Sequence, residues 1–154
     1  SLNTHDMPPF AAYWEGLDIP IRIKLGILSE RDAEIEKRER KRLHKNLINV
    51  LRSGGWLGRA AWPSGGRPGE QPLEDILKAC LAFLAGTSAA AVLVNLEDLW
   101  GECQPQNIPS TQNEFPNWRR KLKYSTDDFS ELASVVKTLT CVDEGRKKYA
   151  EIKT

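Results

Sequence analysis

Residues 89–96, Ala-Ala-Ala-Val-Leu-Val-Asn-Leu, are the best strand candidate in this chain. The run is short, continuously apolar and rich in Val and Leu, which is the pattern of a parallel strand covered on both faces. Such a strand needs neighbours. The only other place for one is the start of the chain, where Asn3-Thr4-His5-Asp6 is followed by Met7-Pro8-Pro9-Phe10. Proline cannot sit in a central ladder, so that block stops a strand and restarts the chain. The remaining sequence reads as helix and loop. The expected class is mainly α with one or two β-strands.

The longest helical signal starts at Ser29, a good N-cap, with Glu30 and Asp32 at the positive end of the helix dipole. From there to Arg52 the sequence has no Gly or Pro, and Leu43, Leu47, Val50 and Leu51 fall at helical spacing. Residues 34–45 are almost all charged and read as a solvated outer helix. The basic stretch at 37–42 carries an interleaved glutamate, Glu39, which favours an exposed face over an anionic-surface grip. Gly54-Gly55 ends this helix. Upstream, 11–15 form a helical turn ending at Gly16, and Pro20 opens a second short helix ending near Gly26. Downstream, 64–69 (Ser-Gly-Gly-Arg-Pro-Gly) is a flexible loop. Pro72 then opens an amphipathic helix that buries Ile76, Leu77, Cys80, Leu81 and Leu84 and caps at Gly86. Residues 97–101 make a tight exit of one helical turn, with Asp98 as its cap. The stretch 102–117, stiffened by Pro105, Pro109 and Pro116, is a long structured loop of the kind that often carries function. Ser125 or Thr126 caps a helix through Leu139, and a last helix begins around 141–143.

A chain of 154 residues suffices for one ordinary domain. Its net charge of +1, from 22 basic and 21 acidic residues, argues against a nucleic-acid grip. No apolar run approaches the length of a membrane span, so no membrane partner is expected. The first residues, with Asp, His and two prolines, are no signal peptide. Cys80, Cys103 and Cys141 are scattered without metal-ligand spacing and read as reduced thiols of a cytoplasmic protein. With only two histidines, His5 and His44, no metal site and no cofactor are expected.

The chemistry-bearing candidate is His5-Asp6. Glycoside chemistry needs at least two working carboxylates flanking the scissile bond, and here one is on offer. Taken alone, an Asp before a turn is more often a cap or turn former. Glu97 and Asp98 suggest an acid/base couple, yet neighbours in a turn usually diverge. Flat aromatic faces suit pyranose rings, but Trp14 and Trp118 read as packing. Arg119 and Arg120 read as partners of acidic residues.

Two blocks add a resemblance. The first runs from Asn3 through His5, Asp6 and Phe10 to Trp14. The second comprises Val94-Asn95-Leu96-Glu97-Asp98-Leu99, Asn107-Ile108-Pro109-Ser110-Thr111 and Asn117-Trp118-Arg119-Arg120-Lys121-Leu122. In order and spacing they resemble the amylomaltase (disproportionating enzyme) family of 4-α-glucanotransferases. That family has a Thr-His-Asp block after the seventh strand of a (β/α)8 barrel, an Asn-x-Pro-Gly-Thr loop and an Asn-Trp-Arg-Arg sequence. The resemblance implies that 1–154 is the C-terminal part of such a catalytic barrel. Within it, 1–10 would be the end of strand 7 and a catalytic loop, 11–86 a helical region, 87–124 the last strand and substrate loop, and 125–154 the C-terminal helices. It implies that Asp6 is the transition-state stabiliser, with His5, Asn107 and Pro109 close to a bound maltodextrin (α-1,4-glucan). Ser110 stands where the family usually has Gly, which permits positive φ, so a differently bent loop is expected. The nucleophile and acid/base belong to earlier strands that have no counterpart here, so the isolated chain is expected to be inactive. One or two orphan strands cannot close a barrel, and exposed barrel-facing surface would favour self-association. Two alternatives stand beside this reading: an α-amylase-like α-glucan hydrolase, whose family also carries a His-Asp pair after its seventh strand, and a non-catalytic glucan-binding or helical interaction module.

Overall fold

A computed structural model describes residues 1–58 and 72–152. The expected loop at 64–69 lies outside the described residues. The elements in order are α1 (Phe10–Glu15), α2 (Asp18–Lys24), α3 (Glu30–Ser53), α4 (Leu73–Ala85), a 3-10 turn (Leu96–Trp100), α5 (Thr126–Ser130) and α6 (Ala133–Ile152).

Local signals account for most of the boundaries. Gly16, at φ 73°, closes α1 in the left-handed region. The Ser29 hydroxyl accepts from the Asp32 amide at 3.1 Å and starts α3. Pro72 precedes α4, whose buried face carries Ile76, Leu77, Ala79, Cys80 and Leu81. That helix is the centre of the molecule. One side of it meets Leu51 and Leu57, with Phe10, Trp14 and Leu47 packed around them. The other side meets Leu99 of the 3-10 turn and Val135 of α6. Burying each such aliphatic side chain contributes roughly 1.5–3 kcal/mol. At the crossing of α4 and α6, a Cβ on Gly145 would lie 2.9 Å from the Cβ of Ala85, so only glycine admits this approach.

The expected β-strands are absent among the described residues. Residues 91–95 carry no regular secondary structure; Asn95 is extended, at φ −74° and ψ 120°, but none of the amides of 91–95 joins a ladder. Residues 1–4, the other run expected as a strand, also stay unpaired among the described residues. Two strands alone are marginal in water, and parallel pairing is the weaker kind. The apolar character of 89–96 is therefore not matched by burial on both faces, and Leu93 is 70% exposed. The fold is helical, which corrects the expectation of one or two strands.

Three smaller corrections follow. Pro20 is the third residue of α2, which Asp18 begins. The helix expected from Ser125 through Leu139 breaks after Ser130. Its second half is continuous with the last helix, so α6 begins at Ala133 and not at 141–143. The charged half of α3 is not uniformly solvated: Arg40 is only 5% exposed, locked between Asp18 and Glu36.

His44 lies one turn beyond Arg40. Its ring stacks on Trp14 at 3.8 Å and 14°, and its buried Nε2 has no partner. Burial, followed by the charge of Arg40, holds its pKa below the ordinary 6.5. The unfolded chain therefore binds the extra proton first. Stability present above 6.5 is lost as pH falls through the depressed folded value. A His44→Phe variant is expected to flatten the fall in melting temperature between about pH 7 and pH 5. An unchanged pH profile in thermal denaturation would remove His44 as its source.

Candidate functional site

The His5-Asp6 turn is fastened at both ends. The Met7 amide donates to the Thr4 carbonyl at 3.0 Å, which puts His5 and Asp6 at the tip. On one side of the tip the Asn3 side-chain amide donates to Asp98 Oδ1 at 3.2 Å, and on the other the Phe10 backbone amide donates to the same oxygen at 2.8 Å. Asp98 is buried, which pushes its carboxyl pKa up against the lowering effect of these two donors. It is thus no helix cap, as its position after the apolar run suggested. Asn95 caps the 3-10 turn instead, accepting from the Glu97 amide at 3.2 Å.

Asp6 itself is open to solvent. Its Oδ1 accepts from the Asn107 side-chain amide at 2.7 Å, and its Oδ2 lies 3.3 Å from His5 Nε2. Asp6 faces a groove of about 320 Å³, shared with Met7, Pro8, Asn107, Pro109 and Ser110. His5 faces a second groove, where its ring lies 5.7 Å from that of Trp118. Trp118 is 58% exposed, which corrects its reading as a packing residue. Trp14, between Phe10 and His44, does pack.

The loop that carries Asn107 is held from within. Asn117 Oδ1 accepts from the Ile108 amide at 3.0 Å, and its Nδ2 donates to Thr111 Oγ1 at 2.8 Å. Thr111 in turn donates to the Ile108 carbonyl at 2.6 Å. Arg120 pairs with Glu97, with Glu102 at 3.2 Å and with the Gln104 carbonyl at 2.9 Å. These partners of Arg120 agree with its sequence reading. The structural role of Asn117 was not among the expected site features, although it stands in the Asn-Trp-Arg-Arg block.

Ser110 adopts φ 68°. The backbone there bends as a glycine would, so the departure in residue type leaves the left-handed bend in place and adds strain. Ser110→Gly is expected to stabilise the chain by about 0.5–1 kcal/mol, the left-handed penalty less the entropy of a freer glycine. Equal or lower stability in urea denaturation would count against strain at this position.

Chemically, the arrangement is one solvated carboxylate with an amide on one oxygen and an imidazole beside the other. It can accept hydrogen bonds from hydroxyls and stabilise positive charge. Glu97 and Asp98 face other partners, so neither completes an acid/base pair with Asp6. Among the described residues no cluster of three or more His, Cys, Asp or Glu side chains is arranged to hold a metal ion. No described helix is long and apolar enough to cross a membrane.

Comparison with known proteins gives consistent results. A Mycobacterium tuberculosis (strain H37Rv) 4-alpha-glucanotransferase is 33% identical over 120 residues, which cover 77% of this chain and 15% of that protein. A Haemophilus influenzae 4-alpha-glucanotransferase is 28% identical over 123 residues, 79% of this chain and 17% of that protein. The crystal structure of amylomaltase from Corynebacterium glutamicum superposes with a TM-score of 0.76 at 28% identity, covering 92% of this chain and 21% of that one. The chain therefore spans less than a quarter of each of these relatives. The family model described as 4-alpha-glucanotransferase matches residues 1–126, and the chain belongs to that family.

Proposed function

We propose that this chain supplies the stabilising carboxylate and part of the sugar-binding wall of a 4-α-glucanotransferase, which moves 1,4-α-glucan segments between maltodextrins by a retaining mechanism. In such a reaction one carboxylate attacks the anomeric carbon while an acid protonates the leaving oxygen. Positive charge then spreads over the sugar ring, and a third carboxylate that hydrogen-bonds ring hydroxyls binds this state more tightly than the ground state. Asp6 is assigned that third role. His5 and Asn107 share its hydroxyl partners, and Pro109 lines the groove beside them. The attacking carboxylate and the acid lie outside these 154 residues, in the earlier units of a (β/α)8 barrel whose last units this chain contributes.

One observation supports this reading above the others. Asp6 and Asn107 stand 101 residues apart in two separate family-like blocks, yet they meet at 2.7 Å on an open groove. The test is a titration of the 15N-labelled chain with maltoheptaose, together with a transfer assay. Resonances of His5, Asp6 and Asn107 are expected to move, with no change in maltodextrin chain length. Disproportionation by the 154-residue chain alone would overturn the division of labour, and perturbations confined to other surfaces would remove the site.

A further inference from the structure

We propose that the adjacent carboxylates Glu97 and Asp98 are positioning residues that together set the spacing between Asp6 and Asn107. Both are buried, at 6% and 5% exposure, and both sit on the short 3-10 turn. A 3-10 helix has three residues per turn, so consecutive side chains leave it about 120° apart. Asp98 takes one direction, and its Oδ1 gathers the Asn3 side chain and the Phe10 amide, the two ends of the turn that presents Asp6. Glu97 takes the other. Its Oε1 accepts from the side chain of Gln106 at 3.2 Å, next to Asn107, and pairs with Arg120. Arg120 also grips Glu102 and the Gln104 carbonyl, so the start of the Asn107 loop hangs from Glu97.

Besides the Asp6–Asn107 bond itself, the two loops also meet where the His5 ring lies 5.7 Å from that of Trp118, a loose contact that fixes no spacing. The turn of Asp6 is exposed, and the loop of Asn107 has no regular secondary structure. Their meeting distance is therefore inherited from the 3-10 turn, whose ends are fixed by the Asn95 cap and by Gly101 at φ 68°. Desolvating two neighbouring carboxylates is costly, and each is met here by donors that belong to a different loop. The bearing of this device on glucan chemistry rests on the site assigned above; the device itself does not.

The test reads the Asn107 side-chain amide proton of the 15N-labelled chain. Bonded to a carboxylate, it is displaced from the shift of a free amide, and Asp6→Ala identifies that displacement. In Asp98→Ala and in Arg120→Ala the displacement is expected to collapse while the far-ultraviolet helical signal persists. In Asp98→Asn, which keeps an acceptor oxygen, it is expected to survive. Maltoheptaose affinity is expected to fall about tenfold along with the bond, the effect of one charge-assisted hydrogen bond. Should the alanine variants unfold, Asn3→Ala and Gln106→Ala each remove a single bond from the pair and carry the same readout. A displacement retained in all alanine variants overturns the proposal. Loss of the bond with unchanged maltoheptaose affinity upholds the positioning and overturns the glucan reading. If the unsubstituted chain fails to bind maltoheptaose, the glucan reading also falls, and the amide shift still decides the positioning.

Discussion

Arg40→Ala is expected to destabilise the chain by about 3–5 kcal/mol, the cost of removing one partner from a buried ion pair. The guanidinium reaches Asp18 with both terminal nitrogens, at 2.5 and 3.1 Å. It also meets Glu36, donates to the Tyr13 carbonyl at 2.9 Å and lies 4.0 Å over the Tyr13 ring. Without it, buried Asp18 keeps only a 3.4 Å contact with Arg22. Lysine is not expected to rescue, because a single ammonium cannot span the fork. The network joins α1, α2 and α3 and lines the same groove as Asp6, so its loss is expected to loosen the groove as well. Urea denaturation followed by circular dichroism measures the effect. A loss below about 1 kcal/mol would place the pair in the class of surface bridges.

Asp6→Asn is expected to reduce glucan transfer by about 10²–10³-fold in an enzyme that joins this chain to the strands bearing the nucleophile and the acid/base. Asparagine still accepts hydrogen bonds from sugar hydroxyls but offers no negative charge to an oxocarbenium-like ring. The loss is therefore expected in kcat, with KM little altered. Asp6 is exposed and anchors no core residue, so the melting temperature is expected to stay unchanged. Transfer kinetics with maltotriose as donor and acceptor separate the cases. Near-normal kcat would remove Asp6 from the chemistry, and a lowered melting temperature would recast it as a structural residue.

Features governed by near neighbours in sequence were readable beforehand. Ser29 and Ser125 cap helices as expected, because a hydroxyl three residues ahead of a free amide is a local arrangement. Gly16 and the tight exit at 97–101 were legible for the same reason. The resemblance set Asp6 and Asn107 each beside a bound glucan, but their hydrogen bond was not foreseen, since nothing local links them. Features that depend on distant partners were missed. Arg40 looked like one charge among many in an outer helix, and only the arrival of Asp18 from α2 makes it a core residue. The run at 89–96 carries the composition of a strand, but a strand exists only with a neighbour to pair with. Trp118 was assigned to packing on residue type, while its left-handed backbone, at φ 59°, and its exposure place it on the surface.

The unladdered stretch at 91–95 also bears on how the molecule breathes. None of its backbone amides is engaged, whereas those of α4 lie in a helix at the centre of the core. In deuterium oxide these positions are expected to label within the dead time of mixing, long before α4 does. Unengaged amides on an apolar, unladdered backbone are also what cross-chain zippering recruits.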